Sequence, residues 1–105
     1  MEPSEKEITA SIRQVLRLCK IWHFKHWGGP MGEKGVSDII GCHQGKMIAI
    51  EVKKPSGKAT PAQLDFLANV VKAGGIGFVA KSVEDVIEKL NLGGRFLDFG
   101  QQNNP

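Results

Sequence analysis

The segment SDIIGCHQGKMIAIEVKKP, residues 37–55, holds two apolar runs that also carry three ionisable side chains, Asp38, Glu51 and Lys53. The runs DIIGCH and KMIAIEVKK flank Gln44-Gly45, and apolar runs on either side of a Gly-containing pair predict a tight β-hairpin. In a two-residue turn His43 faces Lys46, and counting outward from that pair sets Asp38 directly opposite Glu51. Directly opposed residues hold their Cβ atoms about 4.5–5.5 Å apart on one face of the sheet. Two carboxylates at that spacing repel unless something neutralises them. Lys53 lies two residues beyond Glu51 and projects from the same face. The turn sets this register, and a slip of one residue would break the pairing.

A divalent cation neutralises such a pair economically. Mg²⁺ takes oxygen ligands, usually one or two carboxylates with waters and phosphate oxygens completing the shell. An ion held there polarises a phosphodiester and lowers the pKa of a bound water. Lys53 could then orient the attacking water or offset charge on the phosphorane oxygens. The alternative is a solvated antiparallel sheet with Lys53 as ion-pair partner of two ordinary surface carboxylates. Ile40, Met47 and Ala49 share that face, however, and three ionisable groups on a partly apolar patch favour a site. The opposite face offers Ile39, Ile48, Ile50 and Val52 as a core layer.

The elements that position these groups are also legible. Ser4 and Glu7 have capping-box spacing, and Ile8, Ile12, Val15, Leu16 and Cys19 continue as one helical stripe. Residues 21–26, IWHFKH, alternate as a strand, and WGGPMGEKG (27–35) is a loop. After the hairpin and the loop PSGKATP, Thr60, Pro61 and Gln63 start a second helix whose buried stripe is expected at Leu64, Leu67, Ala68 and Val71. Gly74-Gly75 ends it, IGFVA (76–80) forms a short buried strand, and Ser82 caps a last helix with Val83, Val86, Ile87 and Leu90 inward. The order α-β-β-β-α-β-α predicts an α/β fold, a mixed sheet flanked by helices, with a right-handed parallel crossover from Ile48 to Ala80. Residues 1–92 form the expected domain; 93–105 form a tail, partly disordered or interface-forming, whose Phe96, Leu97 and Phe99 could dock on the body or on a second subunit.

A chain of 105 residues implies one compact domain, and 41% hydrophobic with 24% charged residues is ordinary for a soluble protein. No apolar run is long enough to span a bilayer, and the N-terminus lacks a signal-peptide core, so a cytoplasmic protein is expected, with no membrane partner. The net charge of +3 leans towards an anionic partner, while the absence of Tyr argues against a single-strand binder built on stacking platforms. Cys19 and Cys42 are too few for a disulfide framework or zinc site and read as buried, reduced thiols.

The ordered residues SDII…IAIEVKK resemble the PD-(D/E)XK nuclease signature, in which an acid precedes a (D/E)-x-K element on the next strand. With GVSD, EVK, GKATPAQ and FVAKSVEDV in sequence, residues 5–88 resemble the virus-type replication-repair (VRR-NUC) nuclease domain. The resemblance implies a restriction-endonuclease-like fold and a Mg²⁺- or Mn²⁺-dependent endodeoxyribonuclease. It implies that Asp38, Glu51 and the Val52 carbonyl hold the ion and that Lys53 serves the nucleophilic water. It further implies an acid on the first helix, Glu5 or Glu7; Glu5 extends the inward stripe, whereas Glu7 is already the capping-box partner. Gln63 matches a glutamine near metal and phosphate, a role hard to combine with capping. Ser37 departs from the pattern, which often has proline there, but proline restricts backbone without supplying chemistry.

Lys34, Lys54 and Lys58 sit in loops bracketing the site and suit phosphate contacts, and Gly35 could let a phosphate backbone approach closely. His23 and His26, with Trp22 and Trp27, read as core-edge or interface residues, with DNA contact as the alternative. Small stand-alone members of this subfamily resemble Holliday-junction resolvases, so the expected substrate is branched DNA, cut by a homodimer that brings two sites together. The competing expectations are a restriction-like or flap-processing nuclease, and a non-catalytic basic DNA-binding module.

Overall fold

The computed structural model describes residues 1–28 and 32–94. Helix α1 (Glu5–Leu18) starts at a complete Ser4/Glu7 capping box and buries Ile8, Ile12 and Leu16. Strands β1 (His23–Lys25), β2 (Ile39–His43) and β3 (Lys46–Val52) follow, then α2 (Pro61–Lys72), β4 (Ile76–Ala80) and α3 (Val83–Lys89). The sheet order is β1-β2-β3-β4, with the first two pairings antiparallel and the β3–β4 pairing parallel across α2. This is the expected α-β-β-β-α-β-α order and a restriction-endonuclease-like mixed α/β arrangement. No helix among the described residues is long and apolar enough to cross a membrane.

The hairpin fixes everything that follows. Gln44 and Gly45 both adopt positive φ, at 53° and 80°, as a two-residue primed turn requires. His43 therefore pairs with Lys46, and the ladder runs through Ile39–Ile50 in the expected register. Ile39, Ile48, Ile50 and Val52 are all buried, in one cluster with Ile8, Ile12 and Leu16 of α1 and Val86 of α3. Helix α2 covers the other face over β3 and β4, where Leu67 and Val70 pack on Ala49.

Four sequence expectations need correction. The first strand is shorter than residues 21–26, because only His23–Lys25 completes the ladder with β2. In α2 the buried stripe is Leu67 and Val70 with Phe66 against it, while Leu64 and Val71 are 51% and 53% exposed and Ala68 also faces solvent. Gly77 explains the rotation: a Cβ there would stand 2.9 Å from the Leu67 carbonyl oxygen, so the helix backbone lies directly on the strand at this point. Cys19 is buried as expected, but Cys42 is exposed, since it sits near the hairpin tip beyond the cover of α2. Trp22 and Trp27 are 65% and 77% exposed and so do not seal a core edge. The C-terminal tail from residue 95 lies outside the described residues.

Candidate active site

The β2–β3 register carries the sheet face of Ala49 directly to Glu51, and the ladder ends one pair before Asp38. At that point the Asp38 side chain replaces the ladder: its Oδ2 accepts from the Val52 N–H at 2.8 Å. Within an extended strand a residue's N–H and C=O point to the same side, so the Val52 carbonyl also faces the Asp38 edge. The neighbouring Lys53 N–H points the other way and donates to the Ala80 carbonyl on β4 at 3.0 Å. Two strand partners thus fix the E-x-K backbone from both sides.

Glu51 is only 2% exposed, and its Oε1 is buried with no hydrogen-bond partner. Burial, together with the hydrogen bond and charge of Asp38, pushes its carboxyl up to about 8, against a weaker opposing pull from Lys53. Lys53 Nζ stands 3.9 Å from Glu51 Oε2, a loose ion pair that leaves its ammonium N–H donors available. An orphaned buried carboxylate oxygen beside a second carboxylate is a costly arrangement without a cation. The donor set is all oxygen, which suits Mg²⁺ or Mn²⁺ rather than zinc. Among the described residues no three His, Cys, Asp or Glu side chains converge closely enough to hold an ion unaided. An ion held by this pair therefore needs the Val52 carbonyl, water or substrate oxygens to fill its shell, which is the usual Mg²⁺ pattern.

The remaining expected residues divide. Glu5, in the first turn of α1, reaches the mouth of the site: its charge adds to the upward push on Glu51, and its Oε2 lies 3.6 Å from where a Cβ on Gly57 would stand. Glu7 is turned away into the capping box, accepting from the Ser4 N–H at 3.1 Å. Gln63 also completes a capping box, with Oε1 accepting from the Thr60 N–H at 2.8 Å. That bond commits its carbonyl oxygen, so only its NH₂ group is left to face a phosphate. Lys34, Lys54 and Lys58 are exposed, and the Lys54–Lys58 loop is held by Ser56, which donates from N and Oγ to Glu2 at 3.0 and 2.6 Å. Gly35 has a φ of +77°, and a Cβ there would overlap the Ala62 carbonyl at the start of α2, so packing alone already requires glycine at this position. Ser37 is fully buried with an unpartnered Oγ, a cost of about 1–3 kcal/mol that a proline at this position would not carry.

No family model matches the sequence, and no curated protein matches it. A solved structure of a VRR_NUC domain protein superposes with a TM-score of 0.68 at 20% identity, covering 87% of this chain and 88% of its own. The two chains share a fold. In this chain the elements run from α1 to α3, and the carboxylate pair lies at the point where β2 and β3 part company. His26 also belongs to that neighbourhood: its N–H donates to the Asp38 carbonyl at 2.7 Å. The signal was present, since a strand pairing antiparallel with β2 must bring some residue level with Asp38.

Proposed function

We propose that this chain is a metal-dependent endodeoxyribonuclease that hydrolyses phosphodiesters in branched DNA, four-way junctions included, as a homodimer. The observation that carries the reading is the pairing of half-buried Asp38 with buried Glu51, with one Glu51 oxygen unpartnered and Lys53 3.9 Å away. In this account Asp38, Glu51 and the Val52 carbonyl hold Mg²⁺ or Mn²⁺. The ion, when bound, supplies Lewis-acid activation of water and of the phosphate. Lys53 donates hydrogen bonds that orient the attacking water and balance charge on the phosphate oxygens as the bond is made. Glu5 stands at the mouth, where it orders water on the far side of the pair. Lys34, Lys54 and Lys58 contact flanking phosphates and fix the register of the duplex.

The dimer rests on the bare end of the sheet. β1 is an edge strand, and on the site face Trp22, Phe24 and Met47 are 65%, 43% and 41% exposed, with the Trp22 and Phe24 rings in edge contact at 5.7 Å. An exposed aromatic patch of this kind suits a self-complementary two-fold interface. Incubation of the protein with labelled four-way junction and linear duplex, with Mg²⁺, Mn²⁺ or EDTA, tests the reading alongside a sizing measurement. Metal-dependent, paired cuts near the branch point by a dimer are the expected result. Binding without cleavage under every metal condition would leave only a DNA-binding module. Cleavage by a monomer, or equal cleavage of duplex, would remove the junction and dimer parts.

A further inference from the structure

The β1–β2 ladder pairs His23 with Gly41, Phe24 with Ile40 and Lys25 with Ile39. Hydrogen bonds beyond the strands extend it at both ends: Cys42 N–H donates to the Trp22 carbonyl at 3.2 Å, and His26 N–H to the Asp38 carbonyl at 2.7 Å. His26 is therefore the cross-strand neighbour of Asp38, with their Cα atoms about 5.5 Å apart as in any hydrogen-bonded antiparallel pair. Period-two alternation sets Trp22, Phe24 and His26 on the site face and His23, Lys25 and Trp27 on the other. Two contacts bear out the second set. His23 Nε2 accepts from Arg13 of α1 at 3.4 Å, and Lys25 Nζ lies over the Trp27 ring at 4.5 Å.

The two histidines of β1 then differ in a telling way. His23 has both ring nitrogens engaged, Nδ1 with the Ile21 carbonyl at 2.9 Å and Nε2 with Arg13. The half-buried His26 ring has no hydrogen-bond, ionic or ring partner among the described residues. It does not join Asp38 and Glu51 as a third ligand either, since no such three-residue cluster exists among the described residues. It stands beside Asp38, on the flank opposite β4. On this face α2 packs over Ala49 and Val79, with Ile40 of β2 at the margin of the cluster, while Phe24 of β1 is 43% exposed.

We propose that His26 is a substrate-binding residue, donating a ring N–H hydrogen bond to a non-bridging oxygen of the DNA phosphate held at the Asp38–Glu51 pair. An imidazole presents at least one N–H in either tautomer, and a phosphate oxygen is a charged acceptor, so the bond is of the stronger kind. With Lys53 beyond Glu51, the phosphate is then held from two sides of the carboxylate row. This inference rests on the nuclease reading and adds a contact to it.

The test measures binding of a labelled four-way junction with Ca²⁺ in place of Mg²⁺, together with cleavage in Mg²⁺ and melting temperature. His26→Ala is expected to weaken junction binding about tenfold and to raise KM far more than it lowers kcat, at an unchanged melting temperature. His26→Gln, which keeps an N–H donor, is expected to restore binding to within about threefold of wild type. His26→Ala binding as wild type does, or His26→Gln being as weak as His26→Ala, would overturn the assignment. A shift from dimer to monomer on sizing of His26→Ala would overturn it too, by making the residue an interface contact. Asp38→Asn separates the two levels: wild-type cleavage that Asp38→Asn abolishes upholds the nuclease reading whatever His26 does, and a wild type that neither binds nor cuts DNA sinks both.

Discussion

Asp38→Asn is expected to lower metal-dependent cleavage by at least about 10³-fold, roughly 4 kcal/mol in the barrier, while the fold persists. The two halves of that result have different causes. An asparagine keeps a carbonyl oxygen where Oδ2 stands, so it can still accept from the Val52 N–H now bonded at 2.8 Å. The E-x-K backbone therefore keeps its place. What the variant loses is the charge that, with Glu51, draws a divalent cation. Asp38→Ala would remove both and leave the Val52 N–H without its acceptor, at an extra cost of about 1–3 kcal/mol in stability. Wild-type-like cleavage by Asp38→Asn at matched Mg²⁺, or a fold lost in Asp38→Asn, would contradict this account of the residue.

The second large effect is on stability and comes from Glu51. Its carboxyl is pushed from 4.5 to about 8 by burial and by Asp38. Below the lower value both folded and unfolded chains carry the proton, and Glu51 costs nothing. Between the two values the unfolded chain releases the proton and the metal-free folded protein retains it, so stability falls as pH rises. The fall levels off above the higher value. Glu51→Gln removes the titration, and we expect it to stabilise the metal-free protein at pH 8 by on the order of 2–4 kcal/mol, about 10 °C or more in melting temperature. Near pH 5 the two proteins should melt together. Added Mg²⁺ should raise the wild-type melting temperature more at pH 8 than at pH 6, since binding displaces the proton, and should do little for Glu51→Gln. Parallel pH curves for the two proteins would mean that Glu51 is not a destabilised, ion-seeking group.

How far such a site can be read from sequence depends on which forces set each element. Gln44-Gly45 fixes the hairpin by backbone conformation alone, so the opposition of Asp38 to Glu51 followed from counting. The capping boxes at Ser4 and Thr60 are equally local, and both are present. Helix α2 was harder. Leu64, Leu67, Ala68 and Val71 and the observed Phe66, Leu67 and Val70 are overlapping stripes that share Leu67, and periodicity cannot choose between them. The choice is made across the sheet, by Gly77 letting the helix backbone settle on β4. The exposure of Trp22, Phe24 and Cys42 likewise depends on where α2 stops, which is a tertiary fact. His26 was visible only as one of two strand histidines. Its significance appears once the β1–β2 register sets it level with Asp38.

The central claim is that Asp38 and Glu51 together hold a divalent cation. A crystal soaked in Mn²⁺, with data collected to record its anomalous signal, tests that claim most directly. The account predicts one strong peak within coordination distance of Asp38, Glu51 and the Val52 carbonyl oxygen, absent from Asp38→Asn crystals under the same soak. A map with no peak between the two carboxylates at millimolar Mn²⁺, or with the same peak in the variant, would contradict it.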